Sequence, residues 1–69
     1  MQSAGYERLT PRESEVLEEI VGGSSNKKIG RDLKISPRTI EVHRARIMAK
    51  LGAKNAADLV RIVMSRQRR

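Results

Sequence analysis

The sequence predicts an all-α domain of four short helices, with no wing and with a helix-turn-helix at its centre. Three observations carry this prediction. Apolar residues recur at helical spacing in four separate segments, each segment opens on a capping residue, and no stretch alternates with period two for long enough to form a strand. With 69 residues the chain has room for one small core and no second domain.

The first helix is announced by Thr10-Pro11-Arg12-Glu13. Thr10 can cap, Pro11 suits the first helical position, and Glu13 completes a capping box. Val16, Leu17, Ile20 and Val21 then form one apolar face with the glutamates opposite, and Gly22-Gly23 ends the helix. Ser24 or Ser25 caps a short second helix whose Ile29 and Leu33 lie one turn apart. Lys34-Ile35 is the only connection before Ser36-Pro37 starts the third helix, which runs to Gly52. A short helix, a tight connection and a longer basic helix are the parts of a helix-turn-helix. Gly30 sits where the two helices would cross, which calls either for close approach or for simple tolerance of glycine. Asn55 caps a fourth helix through Leu59, Val60, Val63 and Met64. Residues 1–8 read as a flexible tether or cloning remnant, 9–66 as the domain, and 67–69 as a basic tail.

Charge narrows the function. Fifteen Lys and Arg stand against eight Asp and Glu, a net of +7, and the excess is segregated. Residues 1–22 hold two cations against five glutamates. Residues 23–69 hold thirteen cations against Asp32, Glu41 and Asp58. Such a field attracts polyanions. Tyr6 is the only aromatic residue, so the stacking platforms that bind single strands are missing. The absence of cysteine rules out disulfides and thiolate metal sites. One histidine and carboxylates concentrated on one helix provide neither a nucleophile–base pair nor a metal cluster, so no enzyme, metal or cofactor is expected. Arg61 interrupts the longest apolar stretch near the C-terminus, and residues 1–8 lack the apolar core of a signal peptide. No membrane partner is expected, and the cytoplasm is the expected location.

The third helix divides into two faces. Ile40, Ile47 and Leu51 point inward, with His43 and Arg44 at the margin, while Arg38, Glu41, Val42, Ala45, Arg46 and Ala49 lie outside. Val42 and Ala45 are small and apolar where a surface helix ordinarily carries Lys or Glu. They either touch thymine methyl groups or extend the core stripe. Glu41 either accepts from a cytosine amino group or pairs with Arg38 or Arg44 on its own helix. On the fourth helix Ala57, Ile62 and Met64 are surplus to the core stripe, either scattered surface hydrophobes or a partner contact.

LTPRESEVL (9–17) and SNKKIGRDLKISPRTIEVHRARIMAKLGAK (25–54) resemble the LuxR/GerE-type helix-turn-helix domain of bacterial transcription regulators. The stretch SPRTIEVHRARIMAKL is most similar to the output domain of FixJ-like response regulators, within the wider NarL group. The resemblance implies sequence-specific binding of double-stranded DNA, with the third helix in the major groove and a weak homodimer through the fourth helix favoured on DNA. Carried over by position, base contacts fall to Glu41, Val42, Ala45 and Arg46. Phosphate contacts fall to Asn26, Lys27, Lys28, Ser36, Arg38, Thr39, His43, Arg44 and Lys50, and the dimer interface to Ala57, Arg61, Ile62 and Met64. Gly30 stands where relatives usually have Ala, and Ala45 where some use a long basic residue. The family's full-length regulators carry a receiver domain, for which nothing before Thr10 suffices. The resemblance therefore implies the output domain of a two-component response regulator. A stand-alone small regulator, or a basic module contacting RNA polymerase, is the alternative.

Overall fold

The computed structural model describes residues 8–67. The tether expected at 1–8 therefore lies outside the described residues except for Arg8, as do Arg68 and Arg69 of the basic tail. The order is α1 (Pro11–Val21), α2 (Asn26–Leu33), α3 (Pro37–Leu51) and α4 (Ala56–Gln67), with no strand among the described residues.

Each helix begins where local chemistry places it. Thr10 Oγ1 accepts from the Glu13 N–H at 3.1 Å, and the Glu13 carboxylate accepts from the Thr10 N–H at 3.0 Å, a closed capping box. Ser25 Oγ accepts from Lys28 N–H, Ser36 Oγ from Thr39 N–H, and Asn55 Oδ1 from Asp58 N–H. Of the two serines open to the second cap, the structure uses Ser25. Gly52 ends α3 in the left-handed conformation, at φ 74°. At the end of α2 the same conformation is taken by Lys34 at φ 59°, a position where glycine carries no steric penalty.

The helices meet on one core of Val16, Leu17, Ile20, Ile29, Ile40, Ile47, Leu51, Leu59 and Val63. Helix α3 contacts α1, α2 and α4, which makes it the axis of the fold. Three of its residues, Ile40, Ile47 and Leu51, are buried, so packing fixes its orientation and leaves the opposite strip uncovered. Close approach explains Gly30: a Cβ there would lie 2.9 Å from the Ile35 carbonyl oxygen and 3.2 Å from Ile40 Cδ1.

Glu13 is where the structure departs from the simple amphipathic reading of α1. It lies not with the solvated glutamates but in the interior, 1% exposed. The cost of burying a carboxylate is offset by Lys50, whose Nζ donates to Glu13 Oε1 at 2.7 Å and to the Arg8 carbonyl at 3.0 Å. The hydrogen bond from Lys50 holds the Glu13 carboxyl below its ordinary value of 4.5, against the opposing effect of burial and with help from the Thr10 N–H. The unfolded chain therefore takes up this proton before the folded one does. The contribution of Glu13 to stability is present above the unfolded value and is lost as pH falls through the lowered folded value. Thermal melts are expected to reach a plateau near neutrality and to fall on acidification below about pH 4.5. Glu13→Gln is expected to lack the Glu13 component of that fall.

A candidate nucleic-acid interface

The strip of α3 turned away from the core carries Arg38, Glu41, Val42, Ala45, Arg46 and Ala49, all exposed. Val42 is 43% exposed, and its bareness settles the choice between core stripe and surface: neither Val42 nor Ala45 belongs to the core. The four residues expected at bases thus share one face, as the periodicity requires. His43 and Arg44 sit half-buried at its margin. The Nδ1 atom of His43 is buried with no hydrogen-bond partner among the described residues.

Two helix starts flank this strip. At α2, Asn26 is half-buried and Lys27 exposed; at α3, Ser36 Oγ and Thr39 Oγ1 lie 2.9 Å apart beside the first turn. The caps already satisfy one N–H in each first turn. The remaining first-turn N–H groups and the positive helix ends suit an anion.

Ion pairing separates the cations into two sets. Lys28 is engaged by Asp32 and lies 3.8 Å from Glu19, Arg12 pairs with Glu15, and Arg61 with Asp58 at 2.6 Å. The hydrogen bond from Lys28 lowers the Asp32 carboxyl, and Asp32 raises the Lys28 ammonium in turn. Asp58 is lowered first by the Lys54 N–H and then by Arg61. Arg38, Arg44 and Arg46 make no ion pair among the described residues. Lys28 and Lys50, both expected at phosphates, differ from the rest of that set because their ammonium groups are engaged inside the domain. For Lys50 the sequence did carry a signal, since Glu13, Val16, Leu17 and Ile20 follow i, i+3, i+4, i+7 and so place Glu13 on the buried face, where it needs a cation.

On α4, Ala57, Arg61 and Met64 are exposed and Ile62 is half-buried, with Met64 53% exposed. Leu59 and Val63 face the core. The surplus apolar atoms therefore lie off the core stripe. No group of three or more metal-ligating side chains occurs among the described residues. No described helix is long and apolar enough to cross a membrane.

The model of the luxR family of bacterial regulatory proteins matches residues 7–63. The transcriptional regulatory protein FixJ of Bradyrhizobium diazoefficiens is 52% identical over 56 residues, covering 81% of this chain and 27% of that protein. FixJ of Rhizobium meliloti is 50% identical over 62 residues, 90% of this chain and 30% of its own length. The transcriptional regulatory protein TdiR of Thauera aromatica is 50% identical over 56 residues, 81% of this chain and 25% of its own. Among solved structures, full-length FixJ from B. japonicum superposes with a TM-score of 0.79 at 50% identity, over 84% of this chain and 29% of that one. The chain thus spans 25% to 30% of the length of these relatives.

Proposed function

The chain belongs to the luxR family of bacterial regulatory proteins, and on that premise we propose that it binds double-stranded DNA sequence-selectively to regulate transcription. It does so as the output domain of a two-component response regulator. The observation that carries this reading is the bare strip of α3, where Val42 and Ala45 are flanked by arginines that pair with no carboxylate among the described residues. A helix seated in the major groove needs small side chains at its centre and cations along its edges.

In this account Asn26, Lys27, Ser36, Arg38, Thr39, His43 and Arg44 hold phosphates and set the register, while Glu41, Val42, Ala45 and Arg46 meet base edges. Lys28 and Lys50 are withdrawn from the phosphate set by their carboxylate partners. The role is binding rather than catalysis, exercised in the bacterial cytoplasm, where the DNA lies. Ala57, Arg61, Ile62 and Met64 form a small homodimer contact, too small for a stable dimer on its own and completed when two copies share one duplex.

Counterion release provides the test. With about six phosphates neutralised per dimer, the slope of log K against log salt is expected to be about −5. Arg38→Ala, which removes one cation from each protomer, is expected to make that slope shallower by about two, with binding weakened evenly across sequences. A slope near zero on the best-bound duplex would contradict the reading. Fluorescence anisotropy across a salt series measures both quantities.

A further inference from the structure

Glu41 is the anomaly of the α3 strip. Its helix provides Arg38 three residues before and Arg44 three residues after, the spacing at which opposite charges meet. Elsewhere in the chain that opportunity is taken: Arg12 pairs with Glu15 and Asp58 with Arg61 at i, i+3, and Lys28 with Asp32 at i, i+4. Glu41 makes neither an ion pair nor a side-chain hydrogen bond among the described residues, although it is exposed beside Val42 and Ala45. A free carboxylate facing a duplex, which carries one negative charge for each 1.7 Å or so of axis, is repelled unless it meets a donor.

We infer that Glu41 is a specificity-determining residue that selects a cytosine within the bound site. This inference rests on the DNA-binding reading above and adds the base that the strip prefers. Of the four base edges in the major groove, cytosine offers an amino donor and no acceptor. Adenine offers its amino donor beside the N7 acceptor, while guanine and thymine turn acceptor atoms toward the groove. A carboxylate has only lone pairs, so it is attracted by cytosine, partly by adenine, and repelled by guanine and thymine. Ala45 lies four residues along the helix, about 6 Å of rise, or about two base steps of 3.4 Å. The preferred cytosine therefore lies within about two base pairs of the base edges that Val42 and Ala45 meet. Because Arg38 and Arg44 are not spent on Glu41, both stay available to phosphates.

The test is selection of bound duplexes from a random DNA pool by the full chain and by Glu41→Ala and Glu41→Gln. Glu41 is exposed, so thermal melts of the variants are expected to match the parent. The parent is expected to enrich a motif with one position per half-site dominated by cytosine, by about tenfold over guanine or thymine. Glu41→Ala is expected to lose that preference while binding motif-free duplex more tightly, because a negative charge has gone. Glu41→Gln is expected to move the preference to adenine, which glutamine contacts at N6 and N7. An enriched motif with the same base preferences in all three proteins overturns the role of Glu41 and leaves DNA binding standing. No enriched motif in any of them overturns both.

Discussion

Lys50→Met is expected to destabilise the domain by about 3 kcal/mol, the cost of leaving a buried carboxylate without its cation. Glu13 is 2% exposed at its side chain, and Lys50 is its only positive partner within bonding distance among the described residues. A single core in a chain of 69 residues rarely supplies more than about 3–5 kcal/mol in total. The loss therefore consumes most of the stability and is expected to lower the melting midpoint by more than about 10 °C. The substitution also severs the link from the last turn of α3 to the Arg8 carbonyl, so the axis of the fold loses its tie to the start of α1. Combining it with Glu13→Gln removes the stranded charge, and the double variant is expected to melt well above Lys50→Met alone. Circular dichroism melts at neutral pH distinguish the cases. A midpoint for Lys50→Met within about 2 °C of the parent would show that the pair is peripheral to stability.

Val42→Glu is expected to reduce affinity for a selected duplex by about a hundredfold or more while leaving the fold intact. Val42 is 43% exposed and lies outside the core, and glutamate is the better helix former, so stability is expected to change little. On the DNA side the change removes an apolar contact, worth about 1 kcal/mol or more. It also places a second carboxylate beside Glu41 in the groove, and like charges brought together cost several kcal/mol. Anisotropy titrations at matched salt, with melts of both proteins, separate recognition from folding. Unchanged affinity would move the binding surface away from α3.

These two substitutions mark the boundary of what the sequence reveals. Helix starts and stops are legible because they are local: Thr10, Ser25, Ser36, Asn55 and Gly52 act within one turn of their own backbone. The two faces of α3 are legible for the same reason, since a period of 3.6 alone sorts Ile40, Ile47 and Leu51 from Val42 and Ala45. The Glu13–Lys50 pair is not local. It joins residues 37 positions apart, and only the packing of α1 on α3 brings them together. The spacing of Glu13 with Val16, Leu17 and Ile20 hints at its burial but does not name the partner. Gly30 is compatible with simple tolerance by spacing alone, whereas the Ile35 carbonyl oxygen, 2.9 Å from where a Cβ would lie, requires the glycine. The state of Glu41 depends on which rotamers Arg38 and Arg44 take, a matter of side-chain torsions on which spacing is silent.

The central claim is that the outer strip of α3 is the surface that DNA touches. Amide chemical-shift mapping tests it most directly: the 15N-labelled chain is titrated with a duplex of about 20 base pairs, long enough for two half-sites. The account predicts shifts concentrated at residues 38–49 and at the first turns of α2 and α3, with the glutamate face of α1 unmoved. Shifts centred on α4 or on Glu15, Glu18 and Glu19, with α3 silent, would contradict it.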